Sequence, residues 1–331
     1  MPYGQYSSVG EETTWGTPVT RNKFGKVIAG SGLHHRADRK KSSKLSSNVG
    51  ADSEGNFDAG QWGDGKIAVP MAYDSGLFLV YLKHLLGCVA STTGAGPYVH
   101  TFRRLVGPPF TGGSVPTAVG LSAELNYELP DPSLQARLCA GVRVMGGAFA
   151  FNAGEELILD LDVIGKEVTQ VAKTASPTFP DYDANEMLWS QATLTVDGTA
   201  YGAVCSGLTF NLGNNYEKRH RLGSVYTQAP LRRGVSDLSG SLRIDWEATP
   251  SAKTLWDRFK SNTPVAIVVT ATHPSGYSFV KTLPRVFFNA SDLTPDEGQL
   301  QSTEFPFEAY NPTSGATTAV QVVVTSPTAT V

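Results

Sequence analysis

The chain has 331 residues, of which 40% are hydrophobic and 17% charged, and its formal net charge is −3. This length allows one large or two ordinary globular domains, and the near-neutral charge argues against a general nucleic-acid-binding protein. The 34 glycines and 20 prolines favour many short strands and turns over long helices. The three cysteines form no C-x-x-C pair, which indicates a reducing compartment rather than a disulfide scaffold.

The chain begins with a polar and aromatic segment that has no clear period, and we predict an extended N-terminal arm over residues 1–25. This segment lacks the basic and apolar regions of a signal peptide. The most apolar stretch, residues 77–86, is far too short to span a bilayer. The sequence therefore predicts a soluble protein without a membrane partner, made in a cytoplasm.

Two basic runs follow, over residues 34–44 and 218–233, and both are predicted to be loops. The first has no interleaved aromatic residues, so a solvated or interface-pairing loop is favoured over a nucleic-acid site. The candidate interface cations are Arg36, Arg39, Lys40, Lys41, Lys218, Arg219, Arg232 and Arg233.

A strand followed by a short amphipathic helix occurs twice, and each copy comes after one of the basic runs. The first copy places a strand at 65–70 and a helix at 74–87, with Asp74 as N-cap and Gly87 as the C-terminal glycine. The second places a strand at 239–247 and a helix at 249–260. This order predicts a tandem duplication, although two unrelated strand–helix segments would give the same pattern.

Several further segments alternate apolar and polar residues, which is typical of half-buried strands. The clearest are 121–129, 156–164 and 303–310. Their polar faces carry six carboxylates, which either form ordinary solvated faces or serve one function together. These residues are Glu124, Glu128, Asp160, Asp162, Glu304 and Glu308.

The alternation is lost over residues 165 to 185, where Ser, Thr, Pro and Asp become frequent. We therefore predict a mainly β protein of two units. After the arm, the first unit covers 26–170 and a linker covers 171–185. The second unit covers 186–331 and ends in a terminal strand.

No combination of residues predicts catalysis, a cofactor or a metal. His34 and His35 point to opposite sides of a strand, without Cys or carboxylate ligands at metal-binding spacing. The Gly30–Gly32 pair lacks the third glycine and the helix of a dinucleotide-binding turn. The sequence thus predicts a protein that is not an enzyme and needs no cofactor.

Three segments resemble the major tail proteins, or tail tube proteins, of long-tailed, siphovirus-like bacteriophages. Residues 11–18 (EETTWGTP) resemble the start of many of these proteins. Residues 82–87 (LKHLLG) are similar to their short helix before a glycine, and residues 203–214 to their signature strand.

The resemblance implies β-sandwich or partial-barrel units, each with one short flanking helix. Subunits would join their inner sheets into a barrel, and stacked rings would form the tube that guides DNA out of the virion. The implied partners are further copies of the chain, tape-measure and tail terminator proteins, and transiently the genomic DNA. The protein would be made in the host bacterial cytoplasm and located in the virion tail.

Combined with the duplication, the resemblance predicts a ring of three chains with pseudo-six-fold symmetry rather than a hexamer. The six carboxylates above would then line the lumen, where they would repel DNA. The basic runs would contact the next ring in the stack.

Two other classes of function fit the pattern. One is a different ring component of the virion, such as a baseplate or head–tail connector protein. The other is a β-sandwich module that binds carbohydrate through an exposed aromatic platform, for which Trp62, Trp189 and Trp246 are the available residues.

Overall fold

The computed structural model of the chain describes residues 5–41, 56–87, 91–104, 119–127, 131, 135–234, 236–246, 252–289, 302–312, 318–329 and 331. The fold is mainly β, as predicted, and its strand ladders are antiparallel.

The strands of the first half are β1 (Tyr6–Glu12), β2 (Lys23–Lys26), β3 (Gly32–Lys41), β4 (Asn56–Pro70), β5 (Ser91–Thr93), β6 (Tyr98–Arg103), β7 (Gly120–Asn126), β8 (Ala136–Asn152), β9 (Ile158–Gly165) and β10 (Glu167–Val171). Those of the second half are β11 (Ala192–Val196), β12 (Thr199–Ala200), β13 (Cys205–Gly213), β14 (Tyr216–Arg219), β15 (Gln228–Arg232), β16 (Asp237–Asp245), β17 (Val265–Thr272), β18 (Ser278–Phe288), β19 (Ser302–Ala309) and β20 (Gln321–Ser326). The helices are α1 (Gly76–Leu86), α2 (Tyr182–Asn185) and α3 (Ala252–Lys260).

Two long strands connect the sheets. The first part of β8 pairs with β7 and β10, and its second part pairs with β9 and β13. In the same way, β18 pairs with β17 and β20 before it reaches β19. A central ladder therefore runs β3–β4–β9–β8–β13–β16–β19 between a sheet around β1 and β7 and a sheet around β17 and β20.

Seven strand pairings of the first half recur in the second half, in the same chain order. They are β1–β2, β1–β7, β3–β4, β4–β9, β7–β8, β8–β9 and β8–β10, which recur as β11–β12, β11–β17, β13–β16, β16–β19, β17–β18, β18–β19 and β18–β20. Even a bulge recurs, after Leu121 in β7 and after Val265 in β17. Each half also places a helix after the corresponding strand, α1 after β4 and α3 after β16.

Helix α1 is apolar on nearly every side because sheets cover it on several faces. Eight of its residues are buried, and it packs against β2, β6 and β8. The N-cap is Ser75, whose hydroxyl accepts a hydrogen bond from the Phe78 amide, so the prediction of Asp74 at this position is wrong. Gly87 ends the helix in a left-handed conformation, as predicted. In contrast, among its described residues α3 buries only Ala252 and Leu255, and the predicted start of that helix at residue 249 lies outside the described residues.

Within the segment predicted to be an extended arm, β1 is paired on both sides and almost fully buried. The motif after it is fixed to the same sheet. The buried carboxylate of Glu12 accepts hydrogen bonds from the Gly16 amide at 2.7 Å, the Ser122 hydroxyl at 2.7 Å and the Gly141 amide at 2.9 Å. The indole of Trp15 donates to the Gly141 carbonyl at 2.9 Å. A single carboxylate thus satisfies donors from three segments.

The predicted linker also contains regular structure. Its first residue ends β10, and α2 lies near its end, with the Tyr182 side chain buried. Residues 182–185 therefore pack against the fold, while the domain boundaries themselves stay predictions.

Candidate assembly surfaces

The central ladder has one apolar and one polar face. On the apolar face Leu159, Leu161, Phe149, Phe210 and Phe307 are buried in the core. The opposite face is concave and borders an open trough of about 1120 Å³ that is lined by β3, β4, β9, β8, β13 and β16, and β19 continues the face beyond the trough. Period-two alternation across six neighbouring strands (β4, β9, β8, β13, β16 and β19) produces this division.

The polar face is organised in rows of directly paired residues. In one row Asp160 lies between Ala68 and Ala148, and the row continues through Asn211 and Ser239 to Glu308. In the next row Asp162 lies between Lys66 and Gly146, and the row continues through Gly213 to Asp237. The ladder therefore brings Asp160, Asp162, Glu304 and Glu308 to one face, although two of them come from each half of the chain.

Carboxylates outnumber cations on this face. The acidic side chains are Asp64, Asp160, Asp162, Asp237, Asp245, Glu304 and Glu308, and the basic ones are Arg36, Lys66 and Arg243. The Lys66 ammonium lies 3.8 Å from the Asp162 carboxylate, with both side chains more than half exposed, so this ion pair neutralises little. Partial burial, aided by the neighbouring Asp162, raises the pKa of Asp160 above its usual value. The spacing of Gly and Ala between the carboxylates keeps the face smooth.

Glu124 does not belong to this face, and its assignment to an exposed polar face is wrong. Its carboxylate is fully buried and lies 2.6 Å from the Arg21 guanidinium. It also accepts hydrogen bonds from the Thr174 amide at 2.9 Å and hydroxyl at 2.7 Å. The alternation over residues 121–129 predicts a polar exposed face, but both faces of β7 are covered. Glu128 lies outside the described residues.

Residues 34–41 of the first basic run lie in a strand and not in a loop, because β3 pairs with β4 along ten residue pairs, and residues 42–44 lie outside the described part. Acidic residues on β4 support this pairing. The Arg36 guanidinium binds the Asp64 carboxylate at 3.0 Å, and that of Arg39 binds Asp58 at 3.2 Å. The sequence contained a signal for this hairpin, since basic residues on one segment are followed by Asp and Gly on the next, but we read it only as a charge run.

The second basic run is also a hairpin, formed by β14 and β15. Lys218 and Arg219 lie on β14, Arg232 ends β15, and Arg233 binds the Glu217 carboxylate at 2.8 Å. This hairpin extends the β13–β16 ladder, as the distal part of β3–β4 extends the β4–β9 ladder. The two basic hairpins are thus counterparts in the two halves.

The two hairpins touch each other. The Gln61 amide donates to the Val225 carbonyl at 2.7 Å, and the Thr227 amide donates to the Gln61 carbonyl at 2.9 Å. The Lys218 ammonium lies 3.4 Å from the centre of the Trp62 ring system. Trp62 is therefore covered on one side by a cation of the same chain.

Two other properties bear on function. Burial raises the pKa of the Cys139 and Cys205 thiols, to about 12 for Cys205, so neither is an activated nucleophile. No helix in the described part of the chain is long and apolar enough to cross a membrane.

Comparison with known proteins identifies the family. A family model described as phage tail tube protein matches residues 5–329, which is nearly the whole chain. No curated protein matches it. The matched range includes the motif around Glu12, both basic hairpins and all strands of the polar face. The chain belongs to the phage tail tube protein family.

Proposed function

We propose that this protein assembles into stacked rings that form the tail tube of a phage virion, through which the genome leaves the particle. The observation that carries the proposal is the concave polar face of six strands, combined with the family. The protein acts by assembly and not by catalysis, without a cofactor. Its further partners are the tape-measure and tail terminator proteins of the same tail, and it is made in the host bacterial cytoplasm.

The recurrence of seven pairings supports a tandem duplication of one tail-tube-like unit. The first unit contributes β4, β9 and β8 to the concave face, and the second contributes β16, β19 and β13. The two units join where β8 pairs with β13 over seven residue pairs. Three chains would then close a ring of six similar sectors, in which each chain supplies two.

The lateral contact between chains follows from this internal junction. The counterpart of β13 in the first half is β3, and within the described part of the chain β3 forms a ladder with β4 alone. On its other edge the Leu33 amide and carbonyl hydrogen-bond to the side chains of Tyr127 and Arg137, and beyond Leu33 this edge would pair with a neighbouring chain, as the equivalent edge of β13 pairs with β8. Ring closure would cover this edge, which otherwise templates aggregation.

The concave face would form the wall of the lumen. Asp160, Asp162, Glu304 and Glu308 would give the wall a negative charge that repels the phosphates of DNA. The basic hairpins, with Arg36, Arg39, Lys40, Lys41, Lys218, Arg219, Arg232 and Arg233, would meet the next ring.

Electron microscopy and native mass spectrometry of the purified protein test this function. We expect hollow tubes, and rings of three chains when the tubes are dissociated. Rings of six chains would refute the ring order but not the tube. Failure to form rings or tubes under any salt or concentration would refute the proposed function.

A further inference from the structure

We propose that the paired basic hairpins of one copy dock onto the acidic end of a second copy, located at the opposite end of the same ladder. This inference rests on the proposed function and names the surface that each ring presents to the next. The occupant of the hairpin surface is therefore another copy of this chain, arranged head to tail.

The hairpin surface combines positive charge with exposed apolar side chains. Residues 32–41, 56–65 and 216–233 contain nine Lys and Arg against four Asp and Glu, a charge of +5 in a chain whose net charge is −3. Four of the six large hydrophobic residues that are exposed in the described part of the chain lie here, namely Phe57, Leu222, Val225 and Leu231. Such a surface is typical of a protein–protein contact and not of a solvated loop.

The two hairpins are held as one body before any partner binds. Two backbone hydrogen bonds join Gln61 to the segment around Val225 and Thr227, and the Lys218–Trp62 contact adds a charged side chain to the junction. Because these contacts lie within one chain and need no partner, docking through the described residues would cost less conformational entropy than docking of an unpaired loop.

The acidic surface lies where the ladder ends on the other side. It is formed by the turn between β8 and β9 and by α2, and its carboxylates are those of Glu155, Glu156, Asp183 and Glu186. The exposed Leu188 pairs with Glu156 in the same place. From Asp58 to Pro70 along β4 the chain extends about 40 Å at roughly 3.3 Å per residue, so the two surfaces are well separated.

The carboxylates of the acidic surface lie close enough to repel one another. Glu186 and Glu156 hydrogen-bond to each other, and burial together with this contact raises the pKa of Glu186 to about 7. Asp183 adds to the effect, and only Lys26 opposes it. Cations from another copy would remove the repulsion between these carboxylates.

The hairpin surface thus carries exposed apolar residues among cations, and the acidic surface carries the exposed Leu188 among carboxylates. The two surfaces lie at opposite ends of one chain. A heterologous contact of this kind propagates from copy to copy without closing, which is the geometry of a stack. Charge complementarity would also set the orientation, because two like ends repel each other.

Charge reversal on each surface tests the inference. One variant carries Lys40→Glu, Lys41→Glu and Arg221→Glu, and the other carries Glu155→Lys, Asp183→Lys and Glu186→Lys. A control matched to the first variant, Lys173→Glu, Lys253→Glu and Lys260→Glu, lowers the net charge by the same amount at exposed positions away from the hairpins. Circular dichroism checks that each variant folds, and electron microscopy compares ring and tube formation.

We expect each surface variant alone to form rings without tubes, while the control forms tubes like the wild type. In a mixture, the hairpins of the first variant are acidic and the far end of the second variant is basic, so these two surfaces are complementary. We therefore expect the mixture to form tubes again. Tubes of wild-type length from either variant alone, or no tubes from the mixture, would refute this docking. If this docking is refuted but the variants still form rings, the proposed function stands. A wild-type protein that forms no rings would refute the proposed function itself.

Discussion

At the scale of single residues, the most unusual group in the described fold is Lys281 on β18. Its side chain is buried, and its ammonium lies 3.7 Å and 3.5 Å from the ring centres of Phe149 and Phe210, without a hydrogen-bond partner. Cation–π contacts contribute about 2 kcal/mol when desolvated, whereas burying an ion costs several kcal/mol. Burial therefore dominates and holds the pKa of Lys281 well below its usual value.

We expect Lys281→Met to raise the free energy of unfolding at pH 7 by about 1–3 kcal/mol, because an unsatisfied polar group is removed and the volume is kept. The pH dependence has a defined sign. Between the lowered pKa of the folded state and the ordinary pKa of the unfolded state, only the unfolded chain binds the proton, so raising the pH stabilises the wild type. The slope is at most about 1.4 kcal/mol per pH unit.

Urea unfolding at pH 7 and pH 9 measures both effects. The wild type should gain stability at the higher pH relative to Lys281→Met. Lys173→Met, at an exposed lysine, is the control and should match the wild type at both values. A Lys281→Met protein that is less stable than the wild type, with an unchanged pH slope, would contradict the prediction.

At the scale of elements, buried carboxylates hold the N-terminal strand and the segment after β10 in place. Glu12 joins β1 to the Trp15 turn and to β8, and Glu124 joins Arg21 to Thr174. The motif over residues 11–18 thus has a structural reason, since it clips the chain start to the first sheet. Sequence reasoning identified this motif but placed it on an arm, because contacts with Ser122 and Gly141 are distant in sequence.

Arg21→Ala should destabilise the fold by about 3–5 kcal/mol, because it leaves the Glu124 carboxylate buried and without its cation. The double variant Arg21→Met with Glu124→Leu should regain most of this loss. The comparison is Arg233→Ala, which breaks an exposed pair with Glu217 and should cost at most about 1 kcal/mol. Chemical denaturation gives all three values, and equal losses for Arg21→Ala and Arg233→Ala would refute the argument.

Local pattern predicted most strands and the end of α1 well, since alternation and a C-terminal glycine are encoded within a few residues. It failed where the environment decides. The alternation over residues 121–129 predicted one exposed face, but a second layer covers β7. The basic runs were predicted to be loops, but they form hairpins, in which Asp58 and Asp64 pair with arginines of the first and Glu217 pairs with Arg233 in the second.

At the scale of the whole molecule, charge is separated by surface. The paired hairpins carry positive charge, and the concave face and the far end of the ladder carry negative charge. The sequence indicated the acidic strands, yet it could not show that Asp160 and Glu308 share a row, because this depends on the register of four ladders.

Neutralising the concave face should not prevent assembly but should make the tube retain DNA. We expect a variant with Asp160→Asn, Asp162→Asn, Asp237→Asn and Glu304→Gln to form tubes that bind short double-stranded DNA more tightly at low salt, because repulsion is lost. Fluorescence anisotropy measures the binding, and Asp257→Asn on α3 is the control. Unchanged DNA binding by well-formed tubes would show that these carboxylates do not act on DNA in the lumen.

The join between β8 and β13 has a further consequence for how rings are aligned. Covalent linkage places the two hairpins of each chain side by side in a fixed order, and the hairpins differ in their exposed apolar side chains, which are Phe57 on the first and Leu222, Val225 and Leu231 on the second. A three-chain ring would carry the two kinds of hairpin alternately around its rim. Such a rim would match the next ring in three orientations about the tube axis and not in six. Linking two units into one chain would therefore halve the number of orientations in which a new ring can be added.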